Sequence, residues 1–139
     1  MIRVRKGTFS DIPYVSDLEN AVFSDPWGEN AISAHVESTY LSFLVAEREG
    51  AFVGYLLGSV IPPEGEILRV ATLPEARRLG VGEALCRSFL SLADATYLEV
   101  RVSNTAARTL YEKLGFSLVG ERKNYYKNPT EDACLYRRK

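Results

Sequence analysis

Cysteine and histidine are scarce in this sequence, and their scarcity excludes several kinds of site. The 139 residues include two cysteines, Cys86 and Cys134, and one histidine. Two cysteines are too few for a disulfide framework, and a single histidine does not complete a Cys/His zinc site. We therefore expect a chain that folds without disulfide bonds and a site that contains no metal.

Long apolar runs and an excess of one charge are also missing. No window approaches the roughly 20 apolar residues of a membrane helix, and Met1–Lys6 alternates apolar and charged residues, unlike a secretory signal. The 17 Lys and Arg nearly balance the 18 Asp and Glu, giving a net charge of −1, which argues against a generally basic nucleic-acid-binding surface. We expect a cytoplasmic protein that binds neither a membrane nor nucleic acid directly.

The length and the order of the predicted elements indicate one α/β domain, residues 1–139. With 46% hydrophobic residues, the chain is large enough to bury a core. Alternating or apolar runs predict strands at Met1–Lys6, Tyr40–Glu47, Ala51–Ile61, Glu66–Leu73, Tyr97–Val102, Phe116–Glu121 and Ala133–Arg138. Helical spacing predicts a first helix of about four turns from Thr8, and others from Glu29, Gly80 and Asn104. The order β α α β β β α β α β β predicts a mixed sheet of six to seven strands flanked on both faces by about four helices.

Two polar stretches are predicted as connections between strands. Pro62–Gly65 contains two prolines and a glycine, which are typical of turns. Arg122–Asp132 is polar almost throughout and lies between the last two predicted strands. We expect both segments to lie outside the sheet.

The segment Arg77–Gly82, with the sequence RRLGVG, lies between a predicted strand and a predicted helix. Glycines in a first helical turn let the backbone approach a ligand, and the free N–H groups and the helix dipole favour an anion there. The two arginines add positive charge, so the segment suits a pyrophosphate, although the Lys-Ser/Thr pair of an ATP-binding P-loop is missing. A helix that packs closely on a strand would need the same glycines, and both interpretations stay open.

Three polar residues in the second half of the chain are candidates for chemistry. Glu99 points away from its apolar neighbours in a predicted strand; its carboxylate either takes a proton from an incoming ammonium or pairs with an arginine such as Arg69 or Arg101. Tyr111 lies on the apolar stripe of a predicted helix, where a core tyrosine is the ordinary expectation and a proton donor is the alternative. Asn104 is a good N-cap and can bind a ligand as well.

Several motifs together resemble a known enzyme family. Arg77-x-x-Gly80-x-Gly82 after a strand resembles the acyl-CoA signature of the GNAT superfamily of N-acetyltransferases. Other segments resemble the bacterial RimI branch of that superfamily. They are Leu98–Asn104, Leu110–Glu112, Leu114–Phe116, Asn124–Tyr126, Glu131–Ala133, and Phe23 with Pro26 and Trp27. Members of that branch acetylate the N-terminal alanine of ribosomal protein S18.

The resemblance implies a GNAT fold, acetyl-CoA as cosubstrate and a role for each matching residue. The backbone of Val70, Ala71 and Thr72 would pair with the pantetheine arm, and Asn104 would contact it. Arg77 belongs to the signature, and the backbone amides of Arg78, Leu79, Gly80, Val81, Gly82 and Glu83 would hold the pyrophosphate. Glu99 would be the general base and Tyr111 the general acid.

The function implied is direct transfer of an acetyl group to a protein N-terminus in a ternary complex. We favour a monomer, and the oligomeric state stays open. Removing the proton of an α-ammonium with a pKa near ~8 costs roughly 1.4 kcal/mol at pH 7, against roughly 4.6 for a lysine near ~10.4, so one carboxylate suits an N-terminus better. Two alternatives stay open. One is a GNAT enzyme for a small-molecule amine, with an acidic pocket supplied by Glu29, Glu37, Glu64 and Glu66. The other is an acyl-CoA-binding module without catalysis.

Overall fold

A mixed sheet of seven strands forms the centre of the computed structural model, which describes residues 1–139. The strands are β1 (Ile2–Lys6), β2 (Leu41–Arg48), β3 (Ala51–Ile61), β4 (Glu64–Thr72), β5 (Ala95–Arg101), β6 (Ser117–Tyr126) and β7 (Glu131–Arg138). The helices are α1 (Ile12–Val22), α2 (Glu29–Val36), α3 (Val81–Leu90) and α4 (Thr105–Lys113). The strands lie in the order β1-β2-β3-β4-β5-β7-β6. The predicted α/β architecture is confirmed.

Local sequence signals explain where the helices begin and end. Thr8 and Asp11 form a reciprocal capping box, but the turn they enclose is a 3-10 helix, so the first α-helix starts at Ile12 and is shorter than predicted. Asn104 caps α4, its side-chain oxygen accepting the N–H of Ala107 at 3.1 Å. Gly115, with φ of +95°, ends that helix in the left-handed region that glycine adopts freely.

Two apolar clusters cover opposite faces of the sheet. The larger contains 17 buried residues and lies under α3 and α4; the smaller contains 8 and lies under α1 and α2. Leu98 and Val100 of β5 belong to the larger cluster. Because side chains alternate along a strand, Glu99 and Arg101 point to the face that carries α1 and α2. None of the helices is long and apolar enough to cross a membrane.

Both segments predicted as connections contribute to strands instead. Glu64 and Gly65 begin β4 and pair with Ile61 and Val60 of β3. Residues Arg122–Tyr126 extend β6, so the connection to β7 is only residues 127–130. The strand β6 lies at the edge of the sheet and is exposed along most of its length. An edge strand needs no apolar alternation, which is why its polar sequence resembled a loop.

The strands β4 and β5 separate halfway along their length, and this separation creates the site. They form a parallel pair from Glu64 opposite Ala95 to Ile67 opposite Leu98, and the pairing stops there. On the other side of β4 the register with β3 shifts at Leu68, which is left without a partner between Ile67 and Arg69. Such a bulge bends a strand and increases its twist. The end of β4 therefore diverges from β5.

Candidate active site

A groove of about 960 Å³ opens where β4 and β5 separate. Its walls are the end of β4, the first turn of α3, the end of β5 and the exposed side of α4. Every residue of the predicted site lines this groove except Leu79, whose side chain is 43% exposed and lies outside it. The fold thus brings together residues that are up to 41 positions apart, from Val70 to Tyr111.

The turn before α3 has the geometry of an anion site. Arg78 and Gly80 have φ of +66° and +84°, both in the left-handed region, and alternation of such residues with ordinary ones gathers N–H groups into a concave surface. The first N–H groups of α3 have no partner within the helix. A Cβ atom at Gly82 would lie 3.3 Å from Cδ2 of Leu110 on α4, so the glycine keeps the groove open. These features fit a diphosphate.

The end of β4 offers free backbone groups to an extended ligand. Val70–Thr72 lie beyond the last pair with β5, so the edge of β4 that faces the groove has no strand partner there. An extended chain with amide groups can pair with such an edge as another strand would. Across the groove, Asn104 uses its side-chain oxygen to cap α4, which leaves its amide nitrogen for a ligand.

An ion-pair cluster joins α3 to α4 at the mouth of the groove. The carboxylate of Glu83 lies 2.8 Å from Lys113 Nζ and 2.9 Å from Arg87 Nε. These hydrogen bonds, that of Lys113 first, lower the pKa of Glu83. The side chain of Glu83 therefore faces α4. Only its backbone amide is left for the contact with a pyrophosphate that the sequence predicted.

Glu99 lies at the junction of two cavities. It lines the groove and also a second cavity of about 310 Å³, on the face of the sheet that carries α1 and α2. Its Oε2 atom is buried and lies 3.1 Å from Nε of Arg122, yet the two are not aligned for a hydrogen bond and Oε2 has no other partner. The oxygen therefore keeps a lone pair for an incoming donor. Of the partners considered from sequence, neither Arg69 nor Arg101 pairs with Glu99.

Tyr111 is a core residue that also lines the groove. The residue is only 5% exposed and its ring packs against Phe116 and Tyr136, with centroids 5.7 and 6.4 Å away. The hydroxyl of Tyr136 bonds to Glu112 and Arg108, whereas Tyr111 lines the groove. Burial, with smaller effects of Cys86 and Tyr126, raises the pKa of Tyr111 well above its ordinary value. Its proton is therefore present at any physiological pH.

Arg69 holds the connection between α1 and α2 to the sheet. Its Nη2 and Nε lie 2.5 and 3.2 Å from the two carboxylate oxygens of Glu19, a residue with no exposed surface. The hydroxyl of Tyr55 and the backbone N–H of Trp27 also donate to Glu19, and Arg69 stacks over Phe23 at 4.1 Å. Sequence reasoning missed Glu19, although an acid within the stripe Val15, Leu18 and Val22 was a signal.

Arg101 holds the connection between β6 and β7 in a similar way. Its guanidinium donates to the carbonyls of Lys127 and Pro129 at 2.8 and 2.9 Å and to the carboxylate of Glu131 at 3.2 Å. It also contacts the hydroxyl of Ser24, in the connection between α1 and α2, at 3.3 Å. The two segments that border the groove on this face are thus each fixed by an arginine from a central strand.

Comparison with known proteins gives consistent results. Residues 12–116 match the model of the acetyltransferase (GNAT) family. A Bacillus subtilis protein with the provisional name ribosomal protein bS18-alanine N-acetyltransferase is 36% identical over 138 residues, covering 95% of this chain and 91% of that protein. The N-alpha-acetyltransferase RimI of Mycobacterium tuberculosis is 34% identical, with coverage of 94% and 88%. The crystal structure of the ribosomal-protein-S18-alanine N-acetyltransferase from Escherichia coli superposes with a TM-score of 0.90 at 27% identity, covering 99% of this chain and 93% of that one.

Proposed function

This chain belongs to the GNAT family of acetyltransferases, and we propose that it transfers the acetyl group of acetyl-CoA to the N-terminal α-amine of a protein, the alanine of ribosomal protein S18 in the first place. Two of the proteins it resembles are named for that alanine, and a third is named an N-alpha-acetyltransferase. The observation that carries the proposal is the position of Glu99, which lines both the groove and the second cavity, on the face of the sheet that carries α1 and α2. A base at that junction can take the proton of an amine that enters from one side, next to a thioester that is held on the other.

Acetyl-CoA fits the groove by the chemistry of its walls. We assign the diphosphate to the backbone amides of Arg78–Glu83, with the charge of Arg77 and Arg78 and the dipole of α3 in support. The amides of the pantetheine arm would pair with Val70–Thr72 and meet the side-chain amide of Asn104. This arrangement directs the thioester toward the point where β4 and β5 part, next to Glu99 and Tyr111.

The acceptor amine loses its proton to Glu99 in this mechanism. An α-ammonium has a pKa close to neutrality, about 8, so one carboxylate suffices, either directly or through a water molecule. The unpaired Oε2 is the atom to receive the proton. The bared nitrogen then attacks the thioester carbonyl and the C–N bond forms. As the C–S bond breaks, the nitrogen releases its second proton to water, and this proton replaces the one that the departing thiolate takes up; no covalent intermediate forms on the protein.

Tyr111 is assigned the proton that the departing thiolate takes up. Transfer from a phenol with an ordinary pKa of about 10 to a thiolate of about 8.5 is uphill by roughly 2 kcal/mol. Burial makes the phenol still less acidic, but the same apolar surroundings destabilise a thiolate. The transfer therefore occurs late, as the C–S bond breaks, and not before.

A small cationic amine is the second candidate acceptor, because the cavity beside Glu99 is acidic. Of the four glutamates expected in such a pocket, Glu64 and Glu66 line it; Glu29 and Glu37 do not. The segments fixed by Arg69 and Arg101 favour the protein N-terminus, since they border the groove with backbone and aromatic groups that an extended peptide can contact.

An acetylation assay on a peptide array decides between the two acceptors. The array carries the S18 N-terminal sequence with the first residue varied, and spermidine is assayed in parallel. We expect turnover of Ala-first peptides, loss of turnover when the α-amine is blocked, and little modification of spermidine. Turnover of spermidine with no turnover of any peptide would contradict the protein acceptor.

A further inference from the structure

The guanidinium of Arg122 reaches the carboxylate of Glu99 from two strands away. In the sheet, Arg122 of β6 is opposite Ala133 of β7, and Ala133 is opposite Arg101 of β5. Glu99 lies on the same face, since directly paired residues and residues two apart share a face. The small side chain of Ala133 leaves room for Arg122 to cross β7. Its Nε thereby comes to 3.1 Å from Oε2 of Glu99.

Arg122 is held far more loosely than Arg69 and Arg101, the other two arginines on the same face of the sheet. Arg69 is 13% exposed and binds the buried Glu19 through two nitrogens, and Arg101 is 20% exposed with three carbonyl or carboxylate partners. Arg122 is 57% exposed, makes one poorly aligned contact with Glu99 and lies over the exposed ring of Tyr125 at 5.6 Å. Because the guanidinium is exposed to solvent and is not aligned for a hydrogen bond, its pairing with Glu99 contributes little to stability. Arg122 can therefore leave Glu99 at small cost.

The surroundings of Glu99 favour a cation. From β4, Glu64 and Glu66 line the same cavity; burial raises the pKa of Glu66, the Glu99 charge raises it further, and Arg122 opposes both. Other titratable groups around the site are Tyr97 and Arg101 on β5, Tyr126 on β6, Tyr111 on α4, Arg69 on β4, Asp25 between α1 and α2, and Glu131 of β7, which pairs with Arg101. Tyr126, with a pKa raised to about 12 mainly by burial, is neutral. Three carboxylates thus share one loosely held cation.

We propose that Arg122 occupies the place of the acceptor's ammonium group on Glu99 in the free protein and swings toward solvent when an acceptor amine enters. Arg122 is then a specificity-determining residue, because an acceptor must bring its own positive charge to replace the guanidinium. This inference rests on the proposed function, in which Glu99 receives the acceptor's proton. It adds that the acceptor site is filled by the chain itself until the substrate arrives.

The test measures the affinity of the Glu99 carboxylate for a bare ammonium ion. The carboxyl resonance of Glu99 is followed by NMR in 13C-labelled protein, with assignment by Glu99→Gln, and methylammonium chloride is the probe. In Arg122→Gln, methylammonium should perturb the resonance at a concentration about 2 to 5 times lower, because the guanidinium no longer competes for the carboxylate, and the peptide KM should fall similarly with kcat unchanged.

Two further variants separate charge from structure. Glu66→Gln should raise the concentration of methylammonium needed to perturb the Glu99 resonance, because it removes a negative charge that attracts the cation. Lys123→Gln is the matched control: Lys123 is the next residue on β6, 78% exposed and paired with Asp132, and its loss should leave the resonance and the KM in place.

Some results would overturn the inference. They are an unchanged affinity for methylammonium in Arg122→Gln, or a raised peptide KM, which would show that the guanidinium binds the acceptor chain. Failure of the proposed function has a different signature. If the parent protein acetylates no peptide while the NMR titrations behave as expected, the acceptor assignment is wrong and the inference about Arg122 stands.

Discussion

Replacing Arg69 by methionine should destabilise the protein severely, because it leaves a carboxylate buried without its cation. Glu19 has no exposed surface, and after the change only Tyr55 and the N–H of Trp27 would donate to it. Breaking a buried ion pair by removing one partner costs about 3–5 kcal/mol. Unfolding entropy of about 2.1 cal/mol/K per residue gives about 0.29 kcal/mol/K for the 139 residues. The expected fall in Tm is therefore about 10–17 °C.

The assay is a double-mutant cycle with Glu19→Gln, followed by thermal and urea unfolding. Because the double variant has no uncompensated charge, it should recover about 2 kcal/mol or more of the loss of Arg69→Met alone. The connection between α1 and α2 loosens when Arg69 is lost, so KM for the peptide should rise while the affinity for acetyl-CoA stays within about twofold. A loss below about 1 kcal/mol, or two single effects that simply add, would refute the ion pair as the element that holds this connection.

Three further predictions concern catalysis and acid stability. Glu99→Gln should lower kcat by about 10²- to 10⁴-fold with acetyl-CoA affinity unchanged in calorimetry; an unchanged kcat would remove Glu99 as the base. Tyr111→Phe keeps the ring in the core and should lower kcat by about 10- to 100-fold with an unchanged Tm, and full activity would make Tyr111 a core residue only. Hydrogen bonds from Arg5, then from Thr8, hold the pKa of Asp11 below its ordinary value. The stability from this pair is thus present above an ordinary Asp pKa of about 3.9 and is lost as pH falls through the lower folded pKa. Unfolding curves of Arg5→Gln and the parent should converge at acid pH.

Local patterns in the sequence were enough for most of the architecture. The alternation in β5 placed Leu98 and Val100 in the core and turned Glu99 to the other face, and Asn104 and Gly115 bounded α4 as predicted. The errors arose where local polarity misleads. Arg122–Tyr126 read as a loop because an edge strand is solvated, and its polar residues need no burial pattern. That error also concealed Arg122 as a partner of Glu99.

The sequence by itself determined the elements, the glycine-rich turn before α3 and the family, because each depends on residues that are close along the chain. Only the tertiary structure decided which charges meet. Arg69 lies 50 positions from Glu19 and Arg101 26 from Lys127, and Arg122 reaches Glu99 across an intervening strand. Electrostatic pairing depends on distance in space and on burial, which chain position does not reveal. The sequence shows which charged residues the site can contain, and the register and divergence of the strands determine which of them pair.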